Sequence, residues 1–257
     1  MTVENVLEYL NGVSPLNLAE SYDNVGLIIG NKNDNVTGIC CCLDITHEII
    51  REAESKNANL IVSHHPVIFN GLKAIEPWNP VNGLVQKSIS VIAMHTNFDI
   101  TENGVNDTLL ELLGFEKSEV FEVTRENGMG FGAVCTLPLS FTAKALAEHC
   151  KAVLDLDCVK YSIVERMINR VAVCCGSGVD VNSIKLARKK NIDAIISGDI
   201  KHNYWVEAHN SGIVLIDAGH YGTEKSVSHR LAEIITAKFS DVPVFSAECE
   251  KEPANYC

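Results

Sequence analysis

The sequence has no long hydrophobic run and no excess of positive charge. Its apolar runs stay below the roughly 18 residues that a membrane-spanning helix requires. Lys and Arg number 21 against 33 Asp and Glu, and the net charge is −12. The basic residues form no cluster, which argues against a broad nucleic-acid-binding face. A local site for a small anion stays compatible with the global charge, and no membrane partner is expected.

Motifs that pair cysteines are also missing. The ten cysteines fall as Cys40–Cys42, Cys174–Cys175 and five single residues, with no C-x-x-C spacing. Consecutive cysteines on a strand point to opposite faces, so neither cluster predicts a zinc knuckle or a disulfide. We interpret them as reduced core residues, which suits a reducing compartment. The N-terminal MTVENVLEYLNG is acidic and unlike a signal peptide, so a cytoplasmic location is expected.

What the sequence does contain is a repeated alternation of short apolar runs with segments of helical period. Hydrophobic residues make up 46% and charged residues 21% of the 257 positions, which is typical of a globular protein. The β–α alternation predicts an α/β fold with mostly parallel sheets. A Gly-rich break, RENGMG at residues 125–130, divides the chain into two α/β units.

Several elements have recognisable ends. Thr46 is expected to cap the helix in THEIIREAESKNA, and Gly114 is expected to end the helix in NDTLLELLGF. The segment GTEKSVSHRLAEIITAKF is expected to form one amphipathic helix. Strands are predicted in VTGICCCLDI, NLIVSHH, SVIAMHTNFD, FGAVCTL, DCVKYSI, RVAVCCGSG, DAIISGD, IVLIDAGH and VPVFSAE.

Imidazoles and carboxylates follow four of these strands. They are His64 and His65, His95 and Asp99, Asp199, and His220 with Glu224 four residues beyond it. Each one alone is more often an ordinary polar residue, and Glu224 alone suits the first turn of a helix. Because the carboxyl ends of parallel strands form the ligand crevice of an open sheet, their coincidence predicts a metal site.

The kind of ligand narrows the kind of ion. Three imidazoles with two carboxylates suit borderline divalent ions such as Zn, Mn, Fe, Co or Ni, whereas calcium prefers oxygen ligands. Five ligands are too many for one catalytic zinc but fit two ions about 3.5–4 Å apart with a water between them. Either Asp99 or Glu224 is expected to bridge the two ions.

Two further stretches carry weaker signals. Gly176, Ser177 and Gly178, in CCGSGVD, form either an anion-binding turn or merely a tight turn between strand and helix. Asp199 and His202, in SGDIKHNYW, are candidates for acid–base catalysis or for holding a ligand in place, and a capped helix start is the alternative.

Five motifs together resemble one known family. YDNVGL, SHHPVIF, MHTNFD, SGD and AGHYGTE occur in the order seen in the YbgI-type (Nif-three-like) dinuclear metal-centre proteins, which include the GTP cyclohydrolase I type 2 homologues. The resemblance runs from about Asp23 to Glu224.

The resemblance implies a metal-binding α/β domain, residues 1–124 with 213–257, into which a second α/β domain, residues 125–212, is inserted. It also implies a toroidal homohexamer and two divalent metal ions per subunit. The ligands carried over from the family motifs are His64, His65, Asp99, His220 and Glu224, with His95 close by as a candidate catalytic residue.

The leading function is a metal-dependent hydrolase with a purine nucleotide such as GTP as substrate. An activated water would attack C8 of the guanine ring while Asp199 or His202 moves protons. A phosphoester or a cyclic amide would suit the same site. The alternative is a protein without enzymatic activity that stores or delivers metal, or a ring-shaped interaction scaffold.

Overall fold

The computed structural model describes residues 1–256, which divide into two compact units. The first unit comprises Met1–Thr101 and Val227–Lys251, and the second comprises Glu102–Ser226 with the residues from Glu252 onward. The second unit is therefore inserted into the chain of the first. The boundaries between the units differ from the predicted 124/125 and 212/213. The strands that flank each predicted position pair with each other in the second sheet, so both positions lie inside the second unit.

Ten α-helices and eleven strands form within the described residues. The helices are α1 (Val3–Val13), α2 (His47–Ser55), α3 (Pro80–Gln86), α4 (Thr96–Ile100), α5 (Val105–Leu113), α6 (Ala143–Val153), α7 (Val181–Lys189), α8 (His202–Ser211), α9 (His220–Glu224) and α10 (Val227–Lys238). The strands are β1 (Gly26–Ile29), β2 (Ile39–Cys42), β3 (Leu60–Ser63), β4 (Ser90–Ala93), β5 (Lys117–Val123), β6 (Gly130–Phe141), β7 (Lys160–Tyr161), β8 (Ile168–Val173), β9 (Ala194–Ser197), β10 (Val214–Asp217) and β11 (Val244–Ser246).

The sheet of the first unit has the strand order β1-β4-β3-β2-β11. The strands β4, β3, β2 and β11 pair with one another in parallel. The edge strand β1 pairs with β4 in the antiparallel sense. Every residue of β2, β3 and β4 is buried, as expected for parallel strands covered on both faces. The carboxyl ends of these strands meet at one edge, so the residues that follow them lie close together.

The three cysteines of β2 are buried core residues. Cys40 and Cys42 pack with Ile49 of α2 on one face, and Cys41 is equally buried. All nine cysteines among the described residues are free thiols. Burial raises the pKa of Cys40 to about 12, which keeps it a neutral core residue.

The sheet of the second unit has the order β5-β6-β8-β9-β10-β7. Its centre, β8-β9-β10, is parallel, whereas the three outer pairings are antiparallel. Across both sheets five pairings are parallel and four antiparallel, and the α/β class expected from the sequence is confirmed. The carboxyl ends of the three central strands lead into Gly176, Asp199 and His220.

The helix ends predicted from sequence are confirmed in two places. The hydroxyl of Thr46 accepts a hydrogen bond from Ile49 N–H at the start of α2, and Gly114 ends α5 in the left-handed conformation. The segment predicted as one helix forms two, α9 and α10. The chain passes from the second unit to the first between them, and α10 packs on β2 and β11.

No helix in residues 1–256 combines the length and the apolar character needed to cross a lipid bilayer.

Candidate metal centre

His64 directly follows β3 and is fully buried. Its Nδ1 lies 2.7 Å from the backbone carbonyl oxygen of Met94, the residue that follows β4. A carbonyl oxygen can only accept, so Nδ1 carries the proton and donates. The neutral ring then has its lone pair on Nε2, the form in which imidazole binds a metal ion.

His65 is oriented in the same way by a carboxylate. Its Nδ1 lies 2.8 Å from Oδ1 of Asp44, which follows the end of β2. The turn that carries Asp44 is itself fixed, because the backbone N–H groups of Leu43 and Asp44 both donate to Oε1 of Glu250. The neighbouring strand end thus holds the second imidazole of the pair with its Nε2 directed away from Asp44.

His95, after β4, is the third imidazole of the first unit. Its Nδ1 lies 2.8 Å from Oδ1 of Asp23, whose side chain is completely buried. The other oxygen of Asp23 accepts from the backbone N–H and the hydroxyl of Thr96. Burial alone would raise the pKa of Asp23, but the hydrogen bonds from His95 and Thr96 lower it to about 2. Asp23 is therefore a carboxylate acceptor over the whole physiological pH range.

These three histidines form one cluster within the first unit. One ring nitrogen of each lies within 4.8 Å of those of the other two. The ring centroids of His64 and His65 are 5.1 Å apart, and that of His95 is 5.2 Å from the ring of His64. Oδ1 of Asp99, on α4, lies 3.5 Å from Nε2 of His64. Three imidazoles and a carboxylate therefore converge here, a donor set suited to a borderline divalent ion.

His220 and Glu224 meet within the second unit, one helical turn apart on α9. Nε2 of His220 lies 3.0 Å from Oε2 of Glu224, whose side chain is almost fully buried. Nδ1 of His220 lies 2.8 Å from Oδ2 of Asp199, just after β9. Both ring nitrogens of His220 therefore face carboxylate oxygens, and an aspartate again lies at Nδ1. The predicted acid–base candidate Asp199 is thus in hydrogen-bond contact with the predicted ligand His220.

The glycine-rich turn after β8 packs directly against this pair. Gly176 has φ +56°, and a Cβ built there would lie 2.3 Å from Oε1 of Glu224 and 3.2 Å from Nε2 of His220. Its N–H donates to the hydroxyl of Thr223, and the N–H of Gly178 donates to the hydroxyl of Ser197. Two of the three glycine-turn residues therefore use their N–H groups inside the unit, and anion binding at this turn stays a prediction.

His202 is exposed at the start of a helix. It is the first residue of α8, and its side chain makes no hydrogen bond or ion pair within residues 1–256. Its role in proton transfer stays a prediction.

All four histidines of the predicted centre share one arrangement: Nδ1 meets an acceptor of the chain. In three cases the acceptor is an aspartate, namely Asp44, Asp23 or Asp199. Such carboxylate–histidine pairs fix the tautomer and ring orientation of metal ligands. The acceptors at Nδ1 therefore show, independently of any sequence motif, that these residues are suited to bind divalent ions.

Asp23 and Asp44 are the histidine-orienting residues that sequence reasoning missed. Asp44 follows a strand, β2, so the search for acidic residues past strand ends would have found it had it been applied there. Asp23 precedes β1 in an irregular segment, and only its place in the YDNVGL motif marks it.

The Glu250 carboxyl that holds the Asp44 turn gives a testable pH dependence. Burial raises its pKa from 4.5 to about 7, although the N–H groups of Leu43 and Asp44 lower it. As pH rises from 4.5 to 7, the unfolded chain releases this proton while the folded chain keeps it, so stability falls. Glu250→Gln removes that loss, and we expect it to raise the free energy of unfolding by roughly 1 to 3 kcal/mol near pH 8 and to change little near pH 4.

Urea denaturation of both proteins across this pH range measures the effect. Glu248→Gln serves as the control, because Glu248 is exposed at the surface. A Glu250→Gln effect that is the same at both ends of the range would contradict the assignment.

These features define the class of protein: an α/β protein that presents oriented imidazoles and carboxylates as candidate divalent-metal ligands at the carboxyl ends of its strands. The chain belongs to the Duf34/NIF3 (NGG1p interacting factor 3) family, whose family model matches residues 1–253. The family resemblance seen in the five sequence motifs is thereby confirmed.

Individual relatives agree with this assignment. The chain is 38% identical over 242 residues to a protein of Helicobacter pylori named GTP cyclohydrolase 1 type 2, with 91% of each chain covered. It is 33% identical over 231 residues to a GTP cyclohydrolase 1 type 2 homolog of Clostridium acetobutylicum, covering 87% of this chain and 85% of the relative. The crystal structure of a hypothetical protein from Staphylococcus aureus matches with a TM-score of 0.92 and 26% identity, over 100% of this chain and 99% of the other.

Proposed function

We propose that His64, His65, Asp99, His220 and Glu224 supply the ligands for two divalent metal ions, and that the protein is a metal-dependent hydrolase. The observation that carries the proposal is the common orientation of the four imidazoles, each with Nδ1 within hydrogen-bond distance of an acceptor in its own unit. Histidines that only contact solvent need no acceptor at one particular ring nitrogen, whereas metal-binding histidines usually have one.

The chain's own groups divide into holding and proton-moving roles. Asp44, Asp23 and Asp199 hold the imidazoles and stabilise positive charge on them. His95 keeps its proton on Nδ1 toward Asp23, so its Nε2 is the atom able to take a proton from a reacting water. Divalent ions, when bound, supply Lewis-acid activation of water and of the substrate.

A purine nucleotide such as GTP is the proposed substrate, with attack at C8 of the guanine ring. The names of the Helicobacter and Clostridium relatives support this choice, and the polar donor set supports hydrolysis. The family resemblance adds a homohexameric ring and a cytoplasmic location to the proposal. Light scattering of the purified protein tests the ring, and a mass other than six subunits would reject it.

Turnover is the direct test of the proposed function. Protein stripped with a chelator and reloaded with Mn, Zn or Fe is assayed with GTP, a panel of phosphoesters and cyclic amides. We expect metal-dependent loss of the guanine ultraviolet spectrum with GTP, and a strong reduction in the His95→Gln variant at unchanged metal content. Protein that holds two ions per subunit but turns over none of these substrates would favour the metal-storage or scaffold alternative.

A further inference from the structure

A cleft of about 530 Å³ opens within the second unit beside His220. It is lined by the end of the β10 strand, the start of α8, the glycine-rich turn and the segment after Glu252. The lining residues that matter here are Ser177, Lys160, Asp199, Lys201, His220 and Tyr256. Its volume lies within the range of sites for small ligands of nucleotide size.

Three acidic residues line this cleft: Asp199, Asp217 and Glu252. Glu252 accepts a hydrogen bond from the backbone N–H of Ala254. Asp199 holds Nδ1 of His220. Asp217 accepts from the N–H of Gly219, and its carboxylate lies 3.7 Å from Nζ of Lys160. The carboxylates of Asp199 and Asp217 are therefore compensated by the unit itself, and so is the ammonium of Lys160.

Lys201 differs from Lys160 in this respect. It lines the cleft, it is exposed, and it forms no ion pair with any of residues 1–256. The exposed hydroxyl of Ser177 lines the same cleft. An ammonium that no carboxylate of the unit pairs with and an exposed hydroxyl are groups that bind the oxygens of a phosphate.

We propose that this cleft binds a phosphate-bearing small molecule, with the phosphate at Lys201 and Ser177 and the other end of the molecule at His220. Tyr256, which is 51% exposed, offers a ring face for a base. The inference rests on the proposed function in one respect: it takes the ligand of this cleft to be the substrate of the proposed metal centre.

Binding of GTP and of guanosine to chelator-treated protein is the test, measured by isothermal titration calorimetry. Without metal, any affinity for the triphosphate comes from the chain itself. We expect Lys201→Ala to weaken GTP binding about tenfold or more, because a charge-assisted hydrogen bond is lost, and to leave guanosine binding unchanged. Ser177→Ala is expected to weaken GTP binding by a smaller factor in the same direction.

Lys185→Ala is the matched control. Lys185 is exposed on α7, lies outside the cleft, and its loss changes the net charge by the same amount. Equal weakening by Lys185→Ala and Lys201→Ala, unchanged GTP affinity in Lys201→Ala, or no GTP binding by the unaltered protein would each overturn the proposal.

The two proposals fail separately. GTP binding that depends on Lys201, without turnover in any metal-loaded form, supports the cleft and rejects the hydrolase. Turnover of GTP at an unchanged KM in Lys201→Ala rejects the cleft and leaves the hydrolase in place.

Discussion

Replacement of His65 or His220 by Ala is expected to remove most of the bound metal while the chain stays folded. Each substitution deletes an imidazole whose orientation is fixed by an aspartate, so a nitrogen that is already positioned for the ion is lost. We expect the affinity for Zn or Mn to fall by at least about 100-fold, since even the loss of an orienting partner costs 10- to 100-fold. Elemental analysis after dialysis, with circular dichroism as the check on folding, measures the result.

Two further variants, Asp44→Asn and His209→Ala, serve as comparisons in this experiment. Asp44→Asn keeps the imidazole of His65 but replaces the carboxylate that accepts its proton, so its effect should be smaller than that of His65→Ala. His209→Ala removes an exposed histidine near the end of α8 and should leave the metal content unchanged. Full occupancy in His65→Ala and His220→Ala would show that the ligand set is wrong.

Gly176→Ala is expected to damage the candidate centre more than the fold. The new Cβ would lie 2.3 Å from Oε1 of Glu224, so the carboxylate has to move away from its present position. Because the clash is with the far end of a side chain, Glu224 can yield without displacing the backbone. We expect metal content and turnover to fall to a small fraction of those of the unaltered protein, with a modest loss of stability.

Gly212→Ala separates the clash from the backbone strain. Gly212 ends α8 with φ +69°, similar to the +56° of Gly176, but a Cβ there would meet nothing within 4 Å. Both variants therefore carry the strain of a left-handed alanine, about 1 to 2 kcal/mol. If Gly212→Ala loses as much metal as Gly176→Ala, the glycine does not act through Glu224.

The buried parallel strands were predictable from sequence because burial on both faces leaves a continuous apolar run. β2, β3 and β9 each follow this rule. β5 does not, since only Phe121 is buried in the charged segment KSEVFEV, which forms the edge of its sheet. β1 is an edge strand of four residues, GLII, which is apolar but too short to be distinguished from the irregular stretch after Asp23.

The boundaries between the units were harder to predict from the sequence, for a related reason. A Gly-rich break such as RENGMG looks like a linker, but it is the turn between β5 and β6, the two strands that pair at one edge of the second sheet. Likewise, nothing in GTEKSVSHRLAEIITAKF marks the passage from one unit to the other after Ser226. Composition identifies turns, and only pairing shows which sheet each strand joins.

The site was predictable to the extent that its residues follow strands. His64, His65 and His95 were found this way, and within the first unit they do form one cluster. Asp23, which orients His95, was not, because a hydrogen bond between an irregular segment and a distant histidine leaves no periodic trace. Asp44, which orients His65, follows β2 and was within reach of the same search. The pairing of Asp23 with His95 joins residues 72 positions apart.

The insertion of the second unit sets an order for folding during synthesis. Residues 102–226, nearly all of the second unit, leave the ribosome before α10 and β11, which complete the first. Until β11 arrives, β2 remains an open sheet edge with the sequence ICCC, and the carboxylate of Glu250 cannot reach the turn after it. The turn that carries Asp44, the acceptor of His65, is thus translated early but gains its contact with Glu250 only after the inserted unit has been made. A ribosome-bound chain stalled before residue 244 would carry the three histidines of the first unit on an unfinished sheet.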